Sequence, residues 1–139
     1  MGLAMRTESQ LVELLVRYLE SSGFTVKTEL PNMGQSVDVV AHKNDHLWFI
    51  EAKRKDLGRA IAQCKAHELV ADYVCIALVS STILDSTREE LRRLGYGLLL
   101  YKVLDCAWHW EVEPQLNGSI WHPQRSVFER HWAGDANAD

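Results

Sequence analysis

Residues 36–53 read SVDVVAHKNDHLWFIEAK, and this stretch decides the fold. Two apolar segments flank a polar turn centred on Asn44 and Asp45, a pattern typical of a β-hairpin with a two-residue turn. Each segment nevertheless contains a carboxylate, Asp38 in the first and Glu51 in the second. Because an unpaired charge inside so apolar a strand costs several kcal/mol, we expect the two acids to be paired or to hold a metal ion.

The turn also fixes the register of the hairpin. With Asn44 and Asp45 as its central residues, counting back along both strands places Asp38 directly opposite Glu51, and a four-residue loop would give the same pairing. The Cβ atoms of directly opposed residues lie about 4.5–5.5 Å apart, close enough for two carboxylates to share one divalent ion. Side chains alternate along a strand, so Lys53 falls on the same face as Glu51. Two acids and an amine are therefore predicted to converge at one end of the hairpin.

This arrangement resembles the PD-(D/E)xK nuclease superfamily, a restriction-endonuclease-like fold that includes archaeal Holliday-junction resolvases. Asp38 matches the first acid of the motif and Glu51-Ala52-Lys53 matches its Glu-x-Lys, although Val37 stands where the nominal motif has Pro. The similarity extends over about residues 7–103. It implies an α/β fold with an αβββαβ core, in which helices flank a mixed central sheet, followed by a C-terminal extension.

Periodicity and capping signals predict the remaining elements. In order they are a helix opened by a capping box at Thr7–Gln10 and stopped at Gly23, a strand at 24–30, a loop at 31–34, a helix at 55–71, a buried strand at 73–79, a short helix opened by a capping box at Ser86–Glu89 and ended at Gly95, and a strand at 96–104. The alternation from Trp108 to Val112 predicts an added edge strand. We therefore expect a nuclease-like core at 1–104, an extension packed on it at 105–133, and a disordered tail at 134–139.

The resemblance implies metal-dependent hydrolysis. Asp38, Glu51 and the carbonyl of Ala52 would hold Mg²⁺ or Mn²⁺, because hard oxygen ligands favour these ions over zinc. The ion would polarise the scissile phosphate and lower the pKa of a bound water. Lys53 would orient that water and neutralise the charge that builds on the phosphate. The alternative is structural: a surface salt bridge between Glu51 and Lys53, with Asp38 at a strand end.

Two further residues are candidate catalytic residues by resemblance. Glu8 shares the inward face of the first helix, and superfamily members often bring a helix-one Glu to the metal site; Glu13 is the competitor, but it lies off the apolar stripe. Glu8 could instead complement the helix dipole. Gln63 resembles a Gln that RecB-like nucleases place near the site, and an ordinary surface Gln is the alternative. His67, one turn further on, is expected to face solvent, and facing the site is the alternative.

Basic residues follow the proposed site. The net charge of the chain is −4, yet residues 53–65 contain five basic residues and one acid. Since phosphate contacts need Lys and Arg, we predict that Arg54, Lys55, Arg59 and Lys65 form a nucleic-acid-binding rim. A plain solvated helix face is the alternative.

The bulk composition is that of one soluble domain of 139 residues. No apolar run reaches the length of a membrane span and no secretory signal is evident, so we expect no membrane partner and a cytoplasmic location. Cys64, Cys75 and Cys106 are odd in number and lie in apolar surroundings, which predicts reduced core cysteines. Trp108 and Trp110 are predicted to pack rather than to stack on bases.

The leading prediction is a Mg²⁺-dependent nuclease acting on DNA, and the resemblance alone implies a homodimer. One alternative is a nuclease-like fold that binds nucleic acid or a partner without turnover, which the acidic overall charge favours. Another is an RNA-directed or toxin-type nuclease. No GxSxG, Walker or GxGxxG motif occurs, so serine-hydrolase and nucleotide-binding functions have no support.

Overall fold

The computed structural model describes residues 7–80 and 82–135, and these residues form six strands and four helices. In chain order the elements are α1 (Glu8–Ser21), β1 (Thr25–Asn32), β2 (Gln35–Lys43), β3 (His46–Lys53), α2 (Leu57–His67), β4 (Tyr73–Val79), α3 (Asp85–Leu94), β5 (Gly97–Lys102), β6 (Ala107–Val112) and α4 (His122–Trp132). The strands form a single sheet in the order β1-β2-β3-β4-β5-β6. The pairs β3–β4 and β4–β5 are parallel and the other pairs are antiparallel. The predicted α/β fold with a mixed sheet flanked by helices is confirmed.

The hairpin of β2 and β3 has the predicted turn and register. Asn44 and Asp45 both adopt positive φ, +54° and +65°, as a two-residue type I′ turn requires. The paired residues include Lys43 with His46 and extend to Val39 with Ile50. Local turn chemistry therefore sets which residues of the two strands meet.

Helices cover both faces of the sheet, which explains why its central strands are apolar on both sides. On one face, α1 packs its buried leucines against a cluster that includes Ile50. On the other face, a cluster that includes Phe49 joins the sheet to α2, α3 and α4. The Thr7 capping box of α1 is confirmed, because Thr7 Oγ1 accepts from Gln10 N and Gln10 Oε1 accepts from Thr7 N, each at 3.1 Å. None of the helices within the described residues is long and apolar enough to cross a bilayer.

Two predicted helices have different boundaries. The second helix is shorter than 55–71, because Asp56 caps its start by accepting from Arg59 N at 3.2 Å and the helix ends at His67. The capping box predicted at Ser86–Glu89 is wrong. Arg88 N already bonds to the carbonyl of Leu84 at 3.1 Å, which places Ser86 inside the first turn rather than at its cap.

The loop predicted at 31–34 is also wrong in part. The strand β1 continues through Pro31 to Asn32, and a two-residue turn follows at Met33 and Gly34, with φ of +51° and +79°. Proline is tolerated there because β1 lies at the edge of the sheet. The longer strand brings Asn32 into the interior, where it is 1% exposed.

The C-terminal segment continues the fold. The strand β6 pairs antiparallel with β5, which confirms the predicted edge strand. The strand predicted at 96–104 ends at Lys102, because residues 103–106 form the turn into β6. Phe128 of α4 is fully buried against Phe49, with ring centroids 4.6 Å apart. Gly134 and Asp135 follow α4, and the rest of the predicted tail, 136–139, lies outside the described residues.

The cysteines divide into two environments. Cys64 and Cys75 are buried, as predicted, whereas Cys106 is exposed. The prediction of a core cysteine is wrong for Cys106, because it occupies the turn between β5 and β6 with a φ of +49°.

Candidate active site

The two acids meet where β2 and β3 separate. The ladder between these strands ends at the pair Val39–Ile50. Beyond it, Asp38 N donates to Glu51 Oε2 at 3.1 Å, and Ala52 N donates to Asp38 Oδ2 at 2.9 Å. Each carboxylate thus accepts from a backbone N–H of the other strand, where a backbone carbonyl would accept in a continuous ladder. The structure brings together Asp38 and Glu51.

The environments of the two acids differ. Asp38 is half-buried and lines a groove of about 690 Å³ between α1 and the sheet, together with Glu8, Glu13, Glu29 and Ala52. The side chain of Glu51 is fully buried and does not line this groove. Only Asp38 of the pair is therefore reached directly from solvent through the groove.

The electrostatics of the pair follow from this placement. Burial, together with the neighbouring charge of Glu51, raises the pKa of Asp38 from 3.8 to about 6. The N–H of Ala52 and the ammonium of Lys53 act in the opposite direction and lower it. The site therefore holds more negative charge than its own cation neutralises, and a bound cation would relieve the repulsion.

A second acid contributes to this imbalance. The charge of Glu29 on β1 also raises the pKa of Asp38. Glu29 adopts a φ of +57° and accepts a hydrogen bond from Ser36 Oγ at 2.8 Å. Sequence analysis missed Glu29, because a glutamate in an edge strand carries no distinguishing pattern.

On the α2 side, Glu51 lies beside His67, which in turn contacts Asn32, a residue that sequence analysis missed. His67 Nε2 lies 3.7 Å from Glu51 Oε2, and Asn32 Nδ2 lies 3.2 Å from His67 Nδ1. The prediction that His67 faces solvent is wrong, since its side chain is fully buried. The signal was its spacing: Ala60, Cys64 and His67 share the buried stripe of α2.

The remaining catalytic candidates differ in burial and in their contacts. Lys53 is half-buried and ends β3. The side-chain Oε1 of Gln63 is buried and has no hydrogen-bond partner among the described residues. Glu8 is exposed, and its Oε2 accepts from Arg54 N at 3.3 Å, which ties it to the chain just beyond β3. Glu13 lines the same groove, but Glu8 has this additional contact near Lys53.

The predicted basic rim is divided. Arg54, Lys55 and Arg59 are exposed between the end of β3 and the first turn of α2. Lys65 lies elsewhere: its ammonium is 5.9 Å from the ring centroid of Tyr96, at the start of β5. The strands β3, β4 and β5 are parallel, and Lys53 is the last residue of β3. The first residues of β5 therefore lie at the opposite end of the strands from Lys53. The structure does not bring Lys65 to the rim.

The oxygen donors of Asp38 and Glu51 suit Mg²⁺ better than zinc. Within residues 7–80 and 82–135, no group of three His, Cys, Asp or Glu side chains is placed to hold a metal ion. Zinc usually takes three or four protein ligands, whereas Mg²⁺ is often held by one or two carboxylates with water and phosphate oxygens. The Oε1 atom of Glu51 is buried, and no described residue forms a hydrogen bond with it. Asp38 and Glu51 thus fit a Mg²⁺-type ion.

Comparison with known proteins establishes the fold alone. No protein-family model matches the chain, and no curated protein matches it. The crystal structure of an fdxN element excision controlling factor protein from Anabaena variabilis is similar, with a TM-score of 0.54 and 16% sequence identity over 70% of this chain and 95% of that chain. A protein of unknown function, AF1548, is similar with a TM-score of 0.56 and 18% identity over 72% of this chain and 64% of that chain. The chain therefore shares an α/β fold with both.

Proposed function

We propose that this protein is a nuclease of the PD-(D/E)xK type, which hydrolyses phosphodiester bonds of DNA with Mg²⁺ or Mn²⁺. The observation that carries the proposal is the pair of carboxylates from Asp38 and Glu51 in the gap between β2 and β3. Their two contacts with backbone N–H groups, at 3.1 and 2.9 Å, hold them together despite like charge. One fold neighbour is named as a factor that controls excision of an element, which agrees with a role in nucleic-acid processing.

The residues of the site would have different catalytic roles. A divalent ion, when bound, would act as a Lewis acid and supply a nucleophilic hydroxide. Asp38 and Glu51 would hold it, with the carbonyl of Ala52 as a third ligand. Lys53, whose charge reaches Asp38, would neutralise the phosphate oxygens as charge builds on them. Gln63 and Glu8 would position substrate or water at the margins of the site.

Cleavage assays test this proposal. Purified protein is incubated with plasmid, single-stranded and branched DNA in Mg²⁺, in Mn²⁺ and in EDTA. Glu51→Gln and Lys53→Met should each lower the rate at least a hundredfold. Lys102→Met is the matched control, since Lys102 ends the parallel strand β5 and its ammonium pairs with Glu111 at 3.3 Å, away from the two acids. Metal-independent cleavage, or full activity of both site variants, would remove the nuclease assignment.

A second candidate is a nuclease-like fold that binds without turnover. The acidic groove beside Asp38, with Glu8, Glu13 and Glu29 on its walls, favours this candidate because it opposes entry of the phosphate backbone that turnover at Asp38 requires. Binding of DNA without cleavage under every metal condition would select it, and a substrate panel that includes tRNA would reveal an RNA-directed enzyme. The homodimer and the cytoplasmic location stay predictions, and sedimentation analysis would test the first.

A further inference from the structure

A buried polar cluster lies behind Glu51 and connects three elements of the fold. It contains Asn32 of β1, Glu51 of β3 and His67 of α2, whose residues are at most 1% exposed. Three of its atoms, Asn32 Oδ1, Glu51 Oε1 and His67 Nε2, have no hydrogen-bond partner within the described part of the chain. Apolar residues of similar volume would fill this space at lower cost in stability. A purely structural role therefore does not account for the cluster.

The contact with Asn32 assigns the tautomer of the imidazole ring. The Nδ2 group of Asn32 is a donor only, and it lies 3.2 Å from Nδ1 of His67. The Nδ1 atom is therefore the acceptor, and the neutral imidazole carries its proton on Nε2. That N–H lies 3.7 Å from Glu51 Oε2, the same oxygen that accepts from Asp38 N at 3.1 Å.

The two oxygens of Glu51 consequently have different surroundings. The N–H of Asp38 donates to Oε2, and His67 Nε2 lies 3.7 Å from the same oxygen, beyond hydrogen-bond distance, while Oε1 has no partner among residues 7–80 and 82–135. A carboxylate held in this way has one restrained oxygen and one oxygen left for a ligand. Partners of this kind behind a metal-binding carboxylate typically contribute about 10–100-fold in metal affinity.

We propose that Asn32 and His67 are positioning residues for metal binding by Glu51. Asn32 orients the imidazole, and the imidazole places Nε2 beside Oε2, so that Oε1 stays available to the ion. This inference rests on the proposed function, because it assigns the two residues a role in the same site. Neither residue contacts substrate or metal, and both act through the carboxylate.

The test measures metal binding by DNA-free protein. Mn²⁺ affinity is determined by isothermal titration calorimetry, alongside the melting temperature in EDTA. His67→Phe keeps an aromatic ring against Phe49, its partner at 5.2 Å, and should weaken Mn²⁺ binding by about 10–100-fold. His67→Gln keeps a side-chain N–H donor and should bind Mn²⁺ within about threefold of the wild type.

His46→Phe is the matched control. His46 also meets an aromatic ring edge-on, Tyr73 at 5.4 Å, but it lies beside the hairpin turn, at the other end of β3 from Lys53. Its substitution should leave Mn²⁺ affinity unchanged. A loss of affinity in this control equal to that of His67→Phe would overturn the specific role of His67.

The outcomes separate the two proposals. If wild-type protein binds no Mn²⁺ in a manner that depends on Asp38 and Glu51, the proposed function fails first. If it binds Mn²⁺ and His67→Phe binds equally well, only the positioning role is overturned. If His67→Phe does not fold, Asn32→Ala takes its place, since it keeps the imidazole but releases Nδ1. An affinity loss of at least fivefold in Asn32→Ala supports the inference, and unchanged affinity overturns it.

Discussion

Replacing Asp38 by Asn should make the metal-free protein more stable at neutral pH. Burial and the charge of Glu51 raise the pKa of Asp38 from 3.8 to about 6 in the folded state. Below pH 4 the carboxyl is protonated in both states, and no penalty exists. Between pH 4 and 6 the unfolded chain ionises first, so the free energy of unfolding falls, and above pH 6 the loss is complete. An asparagine side chain at this position has no charge to bury and avoids the loss.

The size of the effect follows from the two pKa values. For a group fully shielded from water, a pKa difference of about two corresponds to ~3 kcal/mol. Asp38 is half-buried, and solvent screening reduces the figure to about 1–2 kcal/mol. At about 4 °C per kcal/mol for a domain of this length, Asp38→Asn should melt about 4–8 °C higher at pH 7.5 in EDTA. The amide oxygen can still accept from Ala52 N, so the backbone contact at 2.9 Å is retained.

Differential scanning calorimetry from pH 4 to 8 in EDTA measures this gain. Asp45→Asn is the control, because it removes the same charge from an exposed position of the same hairpin. The gain of Asp38→Asn should be small at pH 4 and grow to its full value above pH 6, while Asp45→Asn stays level. A variant that is no more stable than the wild type at pH 7.5, or equally stabilised at pH 4, would refute the electrostatic argument. Added Mg²⁺ should then stabilise only the wild type, if the proposed site binds it.

Other substitutions test the fold around the site. Thr7→Ala removes the capping-box contact to Gln10 N and should cost about 1 kcal/mol in urea denaturation, whereas Ser9→Ala in the same exposed turn should change stability little. Phe128→Ala empties a fully buried site between α4 and the sheet and should lower the free energy of unfolding by about 3–5 kcal/mol, measured by urea denaturation. A loss below about 1 kcal/mol would mean that α4 does not pack there. In native protein, exposed Cys106 should react with a thiol reagent within minutes, while buried Cys64 and Cys75 should react only after unfolding. Burial raises the pKa values of both core thiols and so disfavours their reactive thiolate forms. Mass spectrometry of the labelled peptides measures the extent of reaction at each cysteine.

The hairpin was predictable because its determinants are local. A two-residue turn requires positive φ at both central positions, and Asn44-Asp45 is suited to this conformation. Once the turn is fixed, counting residues places Asp38 beside Glu51, and the structure shows the contact between them. Period-two alternation holds from Val39 to Ala41 but not across Asp38, because Val37 and Val39 belong to the clusters on opposite faces of the sheet.

The surroundings of Glu51 were not predictable, because they depend on contacts distant in sequence. Asn32 was assigned to a loop since Pro31 and Gly34 signal a turn, and only the edge position of β1 allows the strand to continue past Pro31. His67 was assigned to solvent as a polar residue, although its spacing from Cys64 fits the buried stripe of α2. A polar residue on an apolar stripe is explained only by its partner, and that partner lies on another element.

Lys65 shows the same limit for charged residues. A count of basic residues along the chain groups it with Arg54 and Lys55, but one helix separates them in space. Since α2 carries the chain away from the end of β3, its last turns lie far from its first, and the ammonium of Lys65 meets Tyr96. Charge clusters in sequence therefore predict a surface patch only within about one or two helical turns.

The charge around Asp38 indicates how a nucleic acid would approach the proposed site. The groove on the α1 side is walled by Glu8, Glu13 and Glu29, so it attracts cations and repels a phosphate backbone. On the other side of Lys53, Arg54 and the start of α2 present exposed basic side chains and the positive end of a helix dipole. The two surfaces adjoin where Glu8 Oε2 accepts from Arg54 N at 3.3 Å, so metal and phosphate would reach the carboxylates from neighbouring sides. The net charge of −4 is compatible with a nuclease because exposed basic side chains border the acidic groove.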